Sequence, residues 1–143
     1  GIKKLLVPGD GSASAFRAVR HAAAEAAVAG PAAQIHLLHV IEPMTPVTLS
    51  EAFSARRLDE RFPPQAAQAL EPAIAILAQA GARYSLHCHF GEPAAQIAAH
   101  ARDAGCDAII MGTRGRGAFA RLVIGSVATQ VVKLVDIPVT LVK

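Results

Sequence analysis

The sequence has few residues of the kinds that mark several classes of protein. Its 143 residues contain no tryptophan and one tyrosine, and aromatic residues make up only 4% of the chain. Proteins that read single-stranded nucleic acid stack bases on aromatic rings, so this composition disfavours that class. The formal net charge of +3 is too small to indicate nucleic-acid or membrane binding without clustering of the charges. No apolar run approaches the roughly 18 residues that cross a bilayer.

Cysteine is also scarce, since the chain has only Cys88 and Cys106. Two cysteines fit reduced thiols in a core better than the disulfide framework of a small secreted domain. The first residues, GIKKLLVPGD, enter a strand-like pattern directly and show no signal-peptide pattern. These observations predict a soluble, cytoplasmic protein.

Hydrophobic residues make up 52% of the chain, and their spacing alternates between strand and helix periods. The predicted strands are IKKLLVP, QIHLLHVIE, ARYSLHCHF, DAIIMG and IPVTLVK, and helical periods follow the first four, at residues 12–30, 65–80, 92–105 and 126–135. The segment from Met44 to Pro64 has no clean period, and we expect an excursion with one helical turn. The alternation predicts a single α/β domain over residues 1–143. We expect an open, doubly wound, five-stranded parallel sheet with strand order 3-2-1-4-5.

The loop after the fourth predicted strand, GTRGRGAFARLVIGS, is the most specialised part of the sequence. Its glycines let the main chain approach a ligand closely, its arginines can pair with phosphate oxygens, and a helix starts where it ends. Together these features indicate an anion site, whereas the glycines alone would indicate only a flexible loop with solvated arginines. The residues of this predicted site are Gly112, Arg114, Gly115, Arg116, Gly117, Gly125 and Ser126.

Two common phosphate motifs do not fit the sequence. A Walker-type loop needs a Gly-Lys pair, which the chain lacks, and Asp107 begins a predicted strand where the magnesium-binding aspartate should end one. The first loop, GDGSAS, begins like a dinucleotide fingerprint, but Ser14 stands at the third glycine position. Asp10 would also place a negative charge beside a pyrophosphate. Neither NTP-driven motor activity nor dinucleotide binding is therefore indicated.

The spacing Gly112-x2-Gly115-x9-Gly125-Ser126 resembles the G-x2-G-x9-G-[ST] loop of nucleotide-binding members of the universal stress protein family. The stretches LLVPGDGS, LLHVIEP and IPVTLVK are also similar to that family's first, second and closing strands. The resemblance covers nearly the whole chain outside Met44 to Pro64. It implies the Rossmann-like fold of the adenine nucleotide alpha hydrolase type.

The resemblance also implies a ligand, which is ATP with Mg²⁺. The triphosphate would lie against the glycine loop, Asp10 beside the ribose and adenine, and Val40 against the base. A bound Mg²⁺ could contact Asp10. From the residues alone, a turn-stabilising role for Asp10 is equally well supported. Gly9 stands where the family often has a branched apolar residue, which predicts looser packing around the base.

The histidines and the serine of the loop indicate no further chemistry. His87 and His89 share one strand face, while His36 and His39 point to opposite faces. No third ligand stands at a convincing spacing, so the sequence predicts no zinc site. Ser126 has no His-Asp pair that spacing can assign to it, so we predict no catalytic residue.

These features favour an ATP-binding stress-response regulatory protein over an enzyme. Nucleotide occupancy would order the loop from Thr113 to Ile124 and alter a surface offered to a protein partner, and hydrolysis would be slow at most. The alternatives are an interaction protein that works without nucleotide and a slow ATP hydrolase. The strand IPVTLVK has no later segment to cover its edge, which predicts a homodimer through Ile137 to Lys143.

Overall fold

The computed structural model describes residues 3–42, 63–113 and 124–143. The strands run in parallel in one sheet with the order β3-β2-β1-β4-β5, so the predicted fold class and strand order are confirmed. The strands are β1 (Lys4–Pro8), β2 (Gln34–Ile41), β3 (Tyr84–Phe90), β4 (Ala108–Gly112) and β5 (Val139–Val142). The helices are α1 (Ala13–Ala29), α2 (Pro64–Gln79), α3 (Pro93–Ala104) and α4 (Ser126–Leu134).

The central strands are buried on both faces, as expected for a parallel sheet covered by helices. Leu5, Leu6 and Val7 point alternately to the two faces of β1, yet all three have no exposed surface. One core cluster contains Leu5 and Val7 with residues of α1 and α2. The other contains Leu6 with residues of α3 and α4. The sheet therefore separates an α1/α2 face from an α3/α4 face.

The helix boundaries follow from capping residues. Ser12 caps α1, since its hydroxyl accepts a hydrogen bond from the Ala15 backbone N at 3.2 Å. Glu92 caps α3 with both carboxylate oxygens, which accept from the backbone N of residues 94 and 95. Gly105, with φ of 68°, ends α3 in the left-handed conformation that glycine adopts most easily.

The segment from Met44 to Pro64 lies outside the described residues except for its last two positions. Pro63 precedes α2, and Pro64 occupies the first turn of this helix, where its missing N–H costs nothing. None of the helices in the described ranges combines the length and apolarity needed to cross a bilayer.

Candidate functional site

The sheet has its topological switch point between β1 and β4. Leu5 and Leu6 of β1 pair with Ala108 and Ile109 of β4, whereas the chain leads from β1 towards β2 on the other side. In open α/β sheets a crevice forms at such a point, beyond the carboxyl ends of the strands, and ligands bind there. The two specialised loops of the sequence both start at this edge.

Asp10 begins the first of these loops and stabilises its turn. Its Oδ1 accepts a hydrogen bond from the Ser12 backbone N at 2.8 Å, and Ser12 in turn caps α1. Gly11, with φ of 82°, supplies the backbone angle between them. The turn-stabilising role is therefore present in the structure. Asp10 is exposed, and a carboxylate has a second oxygen that can accept from a ligand hydroxyl.

Gly112 lets the end of β4 touch the start of α1. A Cβ at this position would lie 2.8 Å from the Ser14 carbonyl carbon and 2.9 Å from the Ala15 backbone N. Separations this short to backbone atoms leave no room for any side chain. The glycine is thus required by a close approach of two backbones, which fixes the point where the glycine loop leaves the sheet.

The two ends of the glycine loop meet at Thr113. The Thr113 backbone N donates to the Val142 carbonyl at 2.9 Å, and the Thr113 carbonyl accepts from the Gly125 backbone N. The Thr113 hydroxyl is buried. Within the part of the chain that the structure describes, its oxygen has no hydrogen-bond partner. A buried hydroxyl without a partner costs free energy, so this atom fits a site that a polar ligand completes.

Helix α4 starts at the same place, and among the described residues no side chain caps it. Gly125 is its N-cap and forms no side-chain cap hydrogen bond, and Ser126 is the exposed first residue of the helix. The first turn carries no acidic residue, while Lys133 lies in the last turn. The helix dipole and the amide groups of this first turn therefore favour an anion at the carboxyl edge of β4.

Val40 lies near the carboxyl end of β2 and packs against the core cluster of the α3/α4 face. It is partly buried, so one side of its side chain remains accessible. Because α4 covers the same face, Val40 and the start of α4 lie on one side of the sheet. The partly buried Val40 side chain and the start of α4 therefore lie on the same face, both near the carboxyl ends of the strands.

The effect of Gly9 on packing around the base stays a prediction, while the structure shows what surrounds Gly9 itself. A Cβ on Gly9 would lie 3.1 Å from Leu70 Cδ2 and 3.7 Å from Leu37 Cδ1. Leucine side chains thus occupy the space, and Gly9 is buried. The Gly9 carbonyl also accepts a hydrogen bond from His39 Nδ1 at 2.7 Å, which holds this loop against β2.

Among the described members of the predicted site, the structure brings Gly112 close to Gly125. Gly112 and Gly125 lie at the two ends of the glycine loop, joined through Thr113. Arg114, Gly115, Arg116 and Gly117 lie outside the described residues. Their role in the site stays a prediction from the sequence motif.

A histidine cluster on the α3/α4 face is the feature that sequence reasoning missed. His36 Nδ1 lies 3.1 Å from His100 Nε2, and His89 Nε2 lies 3.0 Å from His100 Nδ1. The His87 ring stacks on His36 with centroids 4.7 Å apart. Alternation along β3 placed His87 and His89 on one face correctly, but no spacing rule could assign His100 or Cys106, which lie on other elements.

Burial favours the neutral form of His36, His87 and His100. Burial, followed by the neighbouring histidines, lowers the pKa of His87 to about 4. The same two causes lower the pKa of His100 to about 4, while Asp103 opposes them. Burial and then Lys4 lower the pKa of His36. Each ring nitrogen that carries no proton is therefore a lone-pair donor at neutral pH.

Comparison with known proteins identifies the family of this fold. A model of the universal stress protein family matches residues 1–143. A universal stress protein of Thermus aquaticus is 36% identical over 146 residues, covering 99% of this chain and 98% of that protein. The solved structure of a protein named MJ0577 is 30% identical with a TM-score of 0.78, covering 99% of this chain and 95% of the other. A universal stress protein structure from Archaeoglobus fulgidus is 27% identical with a TM-score of 0.76, covering 100% of this chain and 99% of the other.

Three more distant structures contain a nucleotide. They are a universal stress protein from Archaeoglobus fulgidus with dAMP, a universal stress protein with cAMP, and a family member from Arabidopsis thaliana with AMP. Their identities to this chain are 23%, 22% and 19%, with TM-scores of 0.69, 0.70 and 0.70. In the same order, the matches cover 100%, 99% and 99% of this chain and 98%, 96% and 91% of the three other chains. At these identities they show a shared fold.

Proposed function

This chain belongs to the universal stress protein family, and we propose that it binds an adenine nucleotide, ATP with Mg²⁺, at the carboxyl ends of β1, β2 and β4. One observation carries the proposal: the N-terminus of α4, whose N-cap residue Gly125 has no side chain to cap it, is joined to the end of β4 by the hydrogen bond between Gly125 and Thr113. This places amide donors and a helix dipole at the switch point, where nucleotides bind in folds of this type.

Different residues of the site would contact different parts of the proposed ligand. Amide groups at the start of α4, with the Ser126 hydroxyl, receive phosphate oxygens, and the buried Thr113 hydroxyl gains a polar partner. Asp10 uses its second carboxylate oxygen for a ribose hydroxyl or for Mg²⁺. The apolar surface of Val40 packs on the adenine. The loop residues Gly112, Arg114, Gly115, Arg116 and Gly117 complete the phosphate cradle, in agreement with the sequence motif.

The relatives support an adenine ligand, since the nucleotides in the three distant structures are dAMP, cAMP and AMP. Preference for a triphosphate rests on this chain's own features. The glycine loop supplies backbone N–H groups and two arginines, and the start of α4 supplies further N–H groups. Together these are more hydrogen-bond donors than a single phosphate uses.

We propose that occupancy of the site, and not turnover, is the regulatory signal. Asp10 already holds the turn through Oδ1, which favours a positioning role over that of a general base. Bound nucleotide would change the surface between Thr113 and Ile124, which a protein partner could read. A cytoplasmic setting fits the two cysteines, both of which are free thiols.

A charge placed at the start of α4 tests nucleotide binding without disturbing the fold. We expect Ser126→Asp to weaken ATP binding at least about tenfold, because about 1.4 kcal/mol of repulsion from the phosphates is enough. The same acidic residue favours the helix N-terminus, so the urea midpoint should be unchanged or slightly higher. Isothermal titration calorimetry with ATP, ADP and AMP measures the loss of affinity in Ser126→Asp and the preference for the number of phosphates. The variant Gly115→Asp, titrated in the same way, tests whether the glycine loop contributes to binding.

The matched control is Gln130→Glu, which adds the same charge on an exposed position one turn further along α4. It should bind ATP like the wild type. If Ser126→Asp also binds ATP like the wild type, the helix start is not the phosphate site. If the wild type binds no adenine nucleotide and none co-purifies by mass spectrometry, an interaction protein that works without nucleotide is the better description. Rapid phosphate release in the same samples would favour an ATP hydrolase.

We also propose a homodimer through the edge formed by residues 137–143. Strand β5 is at one edge of the sheet, with β4 as its partner within the described residues. A second copy of β5 across a two-fold axis would satisfy its outward backbone groups. Sedimentation velocity at micromolar concentration should give the mass of two chains, and a mass of one chain would count against this arrangement.

A further inference from the structure

We propose that His36, His100 and Cys106 bind a divalent transition-metal ion, with Zn²⁺ as the expected occupant. One nitrogen of each histidine and the cysteine sulfur all lie within 4.8 Å of one another. The three residues come from β2, from α3 and from the turn before β4, so only the folded chain brings them together. None of the three residues belongs to the proposed nucleotide site, so this proposal does not depend on nucleotide binding.

The donor atoms are close to the geometry that zinc requires. Zinc bonds of about 2.0–2.3 Å in a tetrahedron place neighbouring ligand atoms about 3.3–3.6 Å apart. His36 Nδ1 and His100 Nε2 are already 3.1 Å apart. Movement of the Cys106 side chain by about 1 Å would complete the set under that geometry. His36 and Cys106 are 9% and 5% exposed, so most competing water is excluded.

Neighbouring rings hold the two histidine ligands in place. The second nitrogen of His100, Nδ1, lies 3.0 Å from His89 Nε2, which can accept its proton. This leaves the lone pair of His100 on Nε2, the atom that faces His36. The His87 ring stacks on His36 with an interplanar angle of 16°, which restricts rotation of the ligand. Such outer partners fix the tautomer and orientation of metal-binding histidines.

The donor types select the class of metal. Two neutral imidazoles and a thiolate suit zinc and its neighbours, whereas Mg²⁺ and Ca²⁺ prefer oxygen ligands. On binding, the Cys106 thiol releases its proton to solvent and its sulfur forms a bond to the ion. The ring proton of His36, which Nδ1 donates to His100 in the metal-free protein, moves to Nε2 by exchange with solvent. Each histidine then donates a lone pair, and neither ring has a net loss of a proton. Water fills the fourth position of the tetrahedron. Burial of Cys106 raises the pKa of its thiol, so the metal-free protein holds an uncharged cluster.

A chain of neutral, hydrogen-bonded histidines would account for part of the same geometry. It explains the contacts of His100 with His36 and His89. It does not involve Cys106, which packs in the apolar core cluster of the same face and whose sulfur lies within 4.8 Å of a nitrogen of each ring. Metal titration separates the two descriptions.

The test titrates the full chain, treated with a chelator and dialysed, with Co²⁺ as a spectroscopic substitute for Zn²⁺. We expect one ion per chain, with a thiolate-to-cobalt charge-transfer band that Zn²⁺ then removes. Cys106→Ser should lose the band, and Cys88→Ser should keep it. Cys88 is the matched control because it is the other free cysteine and neighbours His87 and His89 on the opposite side of β3.

The histidine variants give a graded result by zinc calorimetry. His100→Ala should weaken binding at least about 100-fold, and His89→Gln, which removes only an outer partner, should weaken it about tenfold. His21→Gln, an exposed histidine of α1 paired with Glu25, should bind like the wild type. A wild type without the band, or a band lost in Cys88→Ser and kept in Cys106→Ser, would overturn the proposal.

A measurement on the wild type guards against variants that fail to fold. Zn²⁺ should slow the alkylation of Cys106 and leave that of Cys88 unchanged, as read by mass spectrometry of the two peptides. Equal rates at Cys106 with and without Zn²⁺ would also overturn the site.

Discussion

Replacing Gly112 with alanine should lower the free energy of unfolding by about 3 kcal/mol, the upper end of the usual cost of overpacking. The new Cβ would lie 2.8 Å from the Ser14 carbonyl carbon and 2.9 Å from the Ala15 backbone N. These are backbone atoms in the first turn of α1, and they cannot rotate away as a side chain can. Relief requires β4 to move away from α1, which disturbs the core on both faces of the sheet.

Urea denaturation of Gly112→Ala beside two other variants isolates this cause. Gly81→Ala is the matched control, because Gly81 has φ of 67° and nothing within 4 Å of the added Cβ. It should cost only about 1 kcal/mol, the price of the left-handed backbone angle. Ser14→Ala should not rescue Gly112→Ala, since the obstructing backbone atoms remain. Equal losses in Gly112→Ala and Gly81→Ala would show that close packing is not the reason for this glycine.

The same substitution bears on the proposed site. Gly112 immediately precedes Thr113, whose backbone joins β5 and the start of α4. Movement of β4 would shift Thr113, which begins the glycine loop and holds its other end through the hydrogen bond to Gly125. We therefore expect folded Gly112→Ala to bind ATP more weakly than the wild type.

Acidification should destabilise the chelator-treated protein steeply between pH 6.5 and about 4. Burial, with the neighbouring histidines, lowers the pKa of His87 and of His100 from 6.5 to about 4. The unfolded chain therefore takes up protons at a higher pH than the folded chain does. The stability that depends on neutral rings is fully present above pH 6.5 and is lost as the pH falls towards 4.

Burial is the main cause of this effect, and the charges around the cluster modify its size. Lys4 of β1 opposes protonation of His36, and Asp103 of α3 partly favours protonation of His100. His87 and His100 are partly buried, and each adds at most about 1.4 kcal/mol per pH unit. Contact with solvent reduces this figure. Urea unfolding at a series of pH values measures the slope.

Two histidine variants distinguish the contribution of the histidine cluster to acid sensitivity from that of the other titrating groups. His100→Gln removes one of the two strongly shifted groups, so its stability should fall less steeply with acid than that of the wild type. His21→Gln removes an exposed histidine and should keep the wild-type slope. If all three proteins share one slope, the cluster does not govern acid sensitivity.

Much of the fold was predictable because local signals agreed with one another. The apolar runs of β1, β2 and β4 are buried on both faces, and such strands give continuous hydrophobic stretches that a sequence displays. Serine, proline and glycine marked the helix ends, as at Ser12 and Gly105. Short connections and the right-handed crossover rule then left few possible strand orders.

The candidate site was predictable only in outline. Gly112, Gly125 and Ser126 belong to a local motif, and the end of one strand and the start of one helix position them. The sequence could not show that Leu70 and Leu37 lie beside Gly9, because they come from other elements of the fold. The turn-stabilising role of Asp10 was an equal alternative, and the contact with Ser12 now shows it to be present.

The sequence by itself determined the alternation of strands and helices, the covered parallel sheet and the glycine loop before a helix start. Period, capping and spacing are local properties, so they can be read along the chain. Only the tertiary structure decided that Gly112 must lack a side chain, and that His36, His100 and Cys106 meet on the α3/α4 face. Both depend on contacts between elements far apart in the chain, which are fixed only when the helices pack on the sheet.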